Sequence, residues 1–155
     1  MGSLAVAITK DDVRAGAEII YGAEECYNHS MELLKALGFP EGVMPLKNLD
    51  EFGLVRKTGF VWMKQKAPYE HFFKGTNTKV RYEGDGLCRL VEDGKMKKMT
   101  GVKSKQMLLW VPIVEMSVEE GQKIYFKSAI GIGRSFPASA FADEVNTKRM
   151  EAVSN

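Results

Sequence analysis

The sequence predicts a mainly β protein, α+β by content: an antiparallel β-barrel or roll of about seven or eight strands after two N-terminal helices. Three observations predict it. Up to about residue 40 the apolar spacing is helical, and beyond it the spacing is not. From 43 to 141, short β-branched and aromatic runs recur roughly every 8–12 residues between Gly and Pro punctuation. The chain has 155 residues, 45% of them hydrophobic. A domain of that size removes roughly 70% of its unfolded-chain surface on folding. One domain over 1–155 therefore needs no staples.

The helical lead-in is placed at 9–38. Thr9-x-x-Asp12 resembles a capping box that opens a short helix, and Gly22 interrupts it. A second helix is expected from about Glu24 to Leu37. Gly38 follows where a left-handed cap belongs, and Pro40 bars continuation.

The barrel is placed at 43–141. "EFGLVRKTGFVWMKQK" reads as two strands joined at Lys57-Thr58-Gly59, with glycine at the left-handed position of a hairpin. "YEHFFKG", "TKVRYEGD" and "GLCRLVED" read as further short strands, and Glu92-Asp93-Gly94-Lys95 as a second hairpin turn. "QMLLWVPIVEMSV" is the most apolar run and reads as one long strand buried on both faces, with Pro112 marking a bulge or a break in pairing. "KIYFKSAIGIG" and "RSFPASAF" complete the sheet, and 142–155 reads as a frayed tail.

Charge and termini narrow the function classes. The 22 basic and 20 acidic residues leave a net charge of +2, too near neutral to argue for nucleic acid. Two cysteines, Cys26 and Cys88, fall on a helix and a strand and fit a reduced interior. The first residues lack a basic segment, and the apolar run Leu4 to Ile8 is too short for a secretory signal. Val6 stands where a myristoylation pattern wants Ser or Thr. No window approaches the ~20 apolar residues of a membrane span. The expectation is a cytoplasmic protein, possible peripheral membrane contact aside.

The blocks "GFPEGVMPLKNLDEFG", "TGFVWMKQK", "GKMKKMTGVKSKQMLLWVPIVEMSV" and "KIYFKSAIGIGRSFPASAF" resemble, in this order, the plant DUF538 family. The lead-in "DDVRAGAEIIYGAEECYNHSMELLKALG" resembles that of its "smaller with variable branches" members, named for a trichome phenotype. The resemblance implies a plant protein with a barrel-like roll. It also implies either a likeness to lipid-binding proteins of the bactericidal/permeability-increasing type or a hydrolase activity, including on chlorophyll. It carries over no catalytic residue. The acidic, repetitive C-terminal tail of that branch is missing from this sequence, which ends at Asn155.

The residues that look most chemical are "CYNHS", 26–30. On a helix at about 100° per residue, Cys26 joins Ser30, Leu33, Leu34 and Leu37 on the apolar side, while His29 stands at its rim. A nucleophilic pair needs contact and an orienting third group, which this phase does not favour. Asn28-His29-Ser30 is a glycosylation sequon only in a secreted chain. Two histidines and two cysteines are too few for a metal site at workable spacing, so neither metal nor cofactor is expected. "GIGRS" lacks the third glycine and Lys-Ser/Thr end of a phosphate loop and reads as a strand bend.

In "PYEHFF", strand alternation puts His71 on one face with Tyr69 and Phe73, and Glu70 on the other. His71 is then a satisfied half-buried histidine, a polar handle for a ligand or a general base. Phe60, Trp62, Phe73, Tyr82, Trp110 and Phe126 complete the aromatic inventory of the strands. They fill a small barrel or line its ligand cavity, because about eight strands sit at that limit. "KMKKMTGVKSK" holds Lys95, Lys97, Lys98, Lys103 and Lys105 and no acid. These lysines either guard an edge strand against aggregation or face anionic headgroups. Without arginines and spaced aromatics they do not suit nucleic acid.

The leading expectation is a non-enzymatic binder of a hydrophobic small molecule or lipid, with a basic membrane-facing patch. One alternative is a hydrolase or isomerase acting on an ester or lactone-like metabolite with His71 as base. The other is a regulatory interaction protein with a solid barrel.

Overall fold

The computed structural model describes residues 13–144, with the backbone alone for 87–90 and 143–144. Nine antiparallel strands and one helix build it: β1 (Glu18–Tyr21), α1 (Ala23–Ala36), β2 (Leu49–Val55), β3 (Phe60–Gln65), β4 (Tyr69–Phe73), β5 (Thr78–Glu92), β6 (Lys95–Gln106), β7 (Leu109–Glu119), β8 (Lys123–Ser128) and β9 (Gly133–Pro137). The strands pair in the order β1-β2-β3-β5-β6-β7-β8-β9, and β4 pairs with β5 beyond the end of β3. Among the described residues β9 does not pair with β1. The sheet is therefore open, not the closed barrel expected.

The lead-in also differs. The expected capping box at Thr9 to Asp12 lies outside the described residues. Glu18 to Tyr21 is a strand, not helix, and pairs with β2 from Glu18↔Leu54 to Tyr21↔Glu51. The β-branched pair Ile19-Ile20 favours that state, and an available sheet edge decided it. The second helix lies where expected, within a residue at each end. It ends in a Schellman motif: Gly38 takes φ 92°, its amide donates to Lys35 O, and Phe39 N–H donates to Leu34 O at 2.9 Å.

The β2–β3 hairpin and the Gly94 turn form as read. "TKVRYEGDGLCRLVE" is one strand of 15 residues, not two, because a register shift between Tyr82 and Leu87 absorbs the glycines. The apolar run 106–118 differs most. It is not one strand: Met107-Leu108 is the tip of the β6–β7 hairpin, and β7 buries one face, with Val111, Ile113 and Met116 inward. The irregularity expected near Pro112 appears as a shift between Ile113 and Glu115.

The main core lies inside the curled sheet. Cys26 and Leu34 of α1, Leu37 that caps it, the segment Phe39 to Leu46, and Phe52, Leu54, Val61 and Met63 meet Met96, Met99, Met116 and Ile124 there. The C-terminal end of α1 rests against the β5–β6 turn and Val118, closing that end. A 3-10 turn, Ala138–Glu144, follows β9 and lays Phe141 against Phe73 and Phe126, at centroid distances of 5.6 and 6.0 Å. The expected tail thus begins as an ordered turn, and its residues from 145 on lie outside the described ones.

Trp62 belongs to a separate cluster on the other face of the sheet. It packs with Val55 and Phe60 beneath Val13 and Ala17. Its ring covers Gly53 of the neighbouring strand, where any Cβ would collide with it.

Candidate functional site

A cavity opens between β5, β6, β7, β8 and β9 at the end of the roll opposite the α1 C-terminus. Its volume is about 80 Å³. Strand alternation builds the wall: Thr78, Val80 and Tyr82 from β5, Ser104 and Gln106 from β6, Phe126 and Ser128 from β8, Arg134 and Phe136 from β9. Met44, Met99 and Met116 line it with flexible thioethers. A smaller void of about 40 Å³ adjoins it through Met44, Tyr82, Met99 and Val102.

The polarity is graded. The deep wall is aliphatic, aromatic and thioether. Hydroxyls gather toward the mouth, where several are already engaged: Thr78 Oγ1 donates to Thr76 O at 2.9 Å, Ser128 Oγ to Ile132 O at 3.0 Å, and Gln106 Nε2 to Ser104 Oγ at 2.8 Å. Arg134 stands at the mouth, its guanidinium carbon 4.9 Å from the Phe136 centroid.

Of the residues singled out from sequence, Phe73, Tyr82 and Phe126 line this cavity. Phe60 and Trp62 lie across the sheet in their own cluster. Trp110 is half-buried on the outer face of β7, with Lys105 Nζ 5.7 Å from its ring centroid. His71 stands one ring back from the cavity. It meets Phe73 edge-on at 4.6 Å and stacks with Tyr69, whose hydroxyl is 3.5 Å from Nδ1. Glu70 faces the other way, as expected. Hydrogen bonding by Lys79 and Arg81 holds its carboxyl below the usual range.

Sequence reading missed the hydroxyls at 76, 78, 104 and 128 and the ring of Phe141. Period-two alternation in Thr78-Val80-Tyr82 and Phe126-Ser128 was the signal that could have found the first group. Nothing local marks Phe141.

The family comparison fits this architecture. A family model described as protein of unknown function, DUF538, matches residues 30–142. The chain belongs to the DUF538 family. The match runs from the middle of α1 through Phe141, so the DUF538 region holds every cavity-lining residue. No curated protein and no solved structure matches the chain.

The lysine segment of this DUF538 chain is not an edge. β6 lies between β5 and β7, so its lysines do not guard an exposed strand. Lys97 lies 3.4 Å from Glu92 and Lys103 3.9 Å from Glu83, which offsets part of the positive charge. Lys95 and Lys98 are exposed at the far end of the strand from Lys105.

"CYNHS" is a packing face. Cys26 is fully buried, its thiol donates to Ile20 O at 3.2 Å, and Ser30 Oγ donates to Cys26 O at 2.7 Å. His29 Nδ1 lies 2.9 Å from Glu25 O, not against the thiol. Among the described residues no group of three or more His, Cys, Asp or Glu is placed to hold a metal.

Burial, helped by Asp50 and Glu51, pushes the Cys26 thiol from 9.0 up to about 11. Because the folded value exceeds the unfolded one, the thiol's contribution is complete below pH 9 and fades as pH rises through about 11. That loss is on the order of 2–3 kcal/mol. Urea unfolding across this range is expected to show the decline in the wild type and a shallower one in Cys26→Ala.

Proposed function

We propose that this DUF538 protein binds a single-chain amphiphile or similarly shaped hydrophobic small molecule in the open end of its roll. The observation that carries the reading is the cavity's gradient. Tyr82, Met99, Met116 and Phe126 offer apolar contact inside. Thr76, Thr78, Ser104 and Ser128 supply hydroxyls and Arg134 a cation toward the mouth. A largely apolar pocket with a few convergent polar groups is the usual form of a small-molecule site. An acyl or terpenoid body would lie inside, with an anionic or hydroxyl head near Arg134. The cavity supports this reading over that of a solid roll acting only through its surface.

NBD-labelled palmitate tests it. Titration into the wild type is expected to give a saturable fluorescence rise at one equivalent. Val80→Phe, which fills the cavity, is expected to weaken it about tenfold, a loss of about 1.4 kcal/mol, with little change in unfolding midpoint. No saturable rise with the wild type would refute the reading.

A further inference from the structure

Five large aliphatic side chains stand in water at the end of the roll where the cavity opens. Met107 and Leu108 are 95% and 90% exposed, Leu109 70%, Ile130 63% and Ile132 58%. They sit on two turns, β6–β7 and β8–β9. Register places both turns at the end where β4 turns into β5: Gln106 pairs with Leu109, Lys127 with Gly133, and Phe73 with Thr78. Ile130 and Ile132 line the mouth itself, together with Gln106, Thr76 and Arg134. Folding gains nothing from leaving such groups exposed, and a cluster of them marks an interaction surface.

The hairpin turns around them are basic, although Glu70 pairs with Lys79 and the 3-10 turn seated against Gly75 carries Asp143 and Glu144. The three turns at this end read "FKGTNTK", "SKQMLLW" and "KSAIGIGR". They contain Lys74, Lys79, Lys105, Lys127 and Arg134 and no carboxylate. The turns at the other end mix signs, with Arg56 and Lys57 beside Glu92, Asp93, Glu119 and Glu120. Aliphatic prongs on basic hairpin turns match a membrane interface, where apolar groups enter the acyl boundary and lysines meet anionic headgroups. A second copy of the same end would bring like charges together, which disfavours a symmetric pair.

We infer that the β6–β7 and β8–β9 turns dock the protein on an anionic phospholipid bilayer with the cavity mouth facing the lipid. Met107, Leu108 and Ile130 enter the headgroup–acyl boundary, and Lys105 and Arg134 lie at headgroup level. The inference rests on the proposed ligand site for its purpose: an amphiphile leaving the bilayer would reach the cavity without crossing water. The docking itself is measurable apart from that site. Lys105 belongs to this surface, whereas Lys95, Lys97 and Lys98 lie at the other end of β6.

Liposome flotation of the full chain tests the inference, using phosphatidylcholine vesicles with and without phosphatidylserine. The wild type is expected to float with phosphatidylserine vesicles, less at high salt. The double variant Met107→Glu, Leu108→Glu is expected to lose at least about tenfold in vesicle affinity. Both side chains lie almost wholly in solvent, so the variant should fold normally and keep its uptake of NBD-palmitate from solution. Three results would overturn docking: no flotation of the wild type with either vesicle, equal flotation of the variant, or a vesicle-free self-association that the same substitutions abolish. Palmitate uptake without flotation would reject docking alone. Flotation without palmitate uptake would reject the ligand site and leave docking standing.

Discussion

Trp62→Ala is expected to destabilise the protein by about 3–5 kcal/mol while leaving palmitate uptake unchanged under native conditions. The ring is 1% exposed and is the largest fully buried side chain among the described residues. It fills the space over Gly53, meets the Phe60 ring at a tilt with centroids 5.8 Å apart and underlies the Arg14 guanidinium at 4.3 Å. Its indole N–H donates to Glu51 Oε2 at 2.6 Å. No other side chain can fill the void, because its floor is a glycine with nothing to extend. The N-terminal segment Val13 to Ala17 would lose the surface that holds it beside β1. Trp62→Phe keeps most of the packing and drops the hydrogen bond, so about 1–2 kcal/mol is expected there. Urea unfolding of the three proteins, each titrated with NBD-palmitate, checks both halves of the statement.

Phe141→Ala is expected to cost a similar about 3–4 kcal/mol in the same assay, but with ligand affinity falling as well. Phe141 is 2% exposed and is the only ring that the 3-10 turn after β9 contributes to the core. It joins Phe73 of β4 to Phe126 of β8, strands that share no hydrogen bond, and it lines the cavity. The turn that carries it seats against Gly75, where any side chain would strike the Ala140 carbonyl. Removing the ring therefore loosens the connection across the open side of the roll and takes away part of the cavity wall. Similar stability losses, with binding unchanged in one variant and weakened in the other, would separate the two faces of the sheet.

The strands, the hairpin at Gly59, the helix and its Gly38 cap were legible because each rests on local rules: alternation, turn chemistry and capping. The face of Cys26 was legible for the same reason. What failed depended on partners distant in sequence. Glu18 to Tyr21 has helical neighbours, and only the edge of β2 made it a strand. The apolar run 106–118 seemed buried on both faces because hydropathy counts residues and does not see a turn without glycine at Met107-Leu108. Met107 itself takes the left-handed φ of 58° that the tip requires. Phe60 and Trp62 were grouped with the cavity aromatics because alternation says which residues share a face, not which face looks inward. Closure could not be read either, since it depends on whether β1 and β9 meet.

Three thioethers, Met44, Met99 and Met116, form much of the inner wall. Unbranched and polarisable, they change rotamer at little cost and follow the outline of whatever lies against them. Such a wall discriminates poorly between guests of similar bulk, so selectivity would fall to the hydroxyls and Arg134 at the rim. All three are buried, so a sulfoxide formed at any of them would place a strong dipole in the driest part of the molecule.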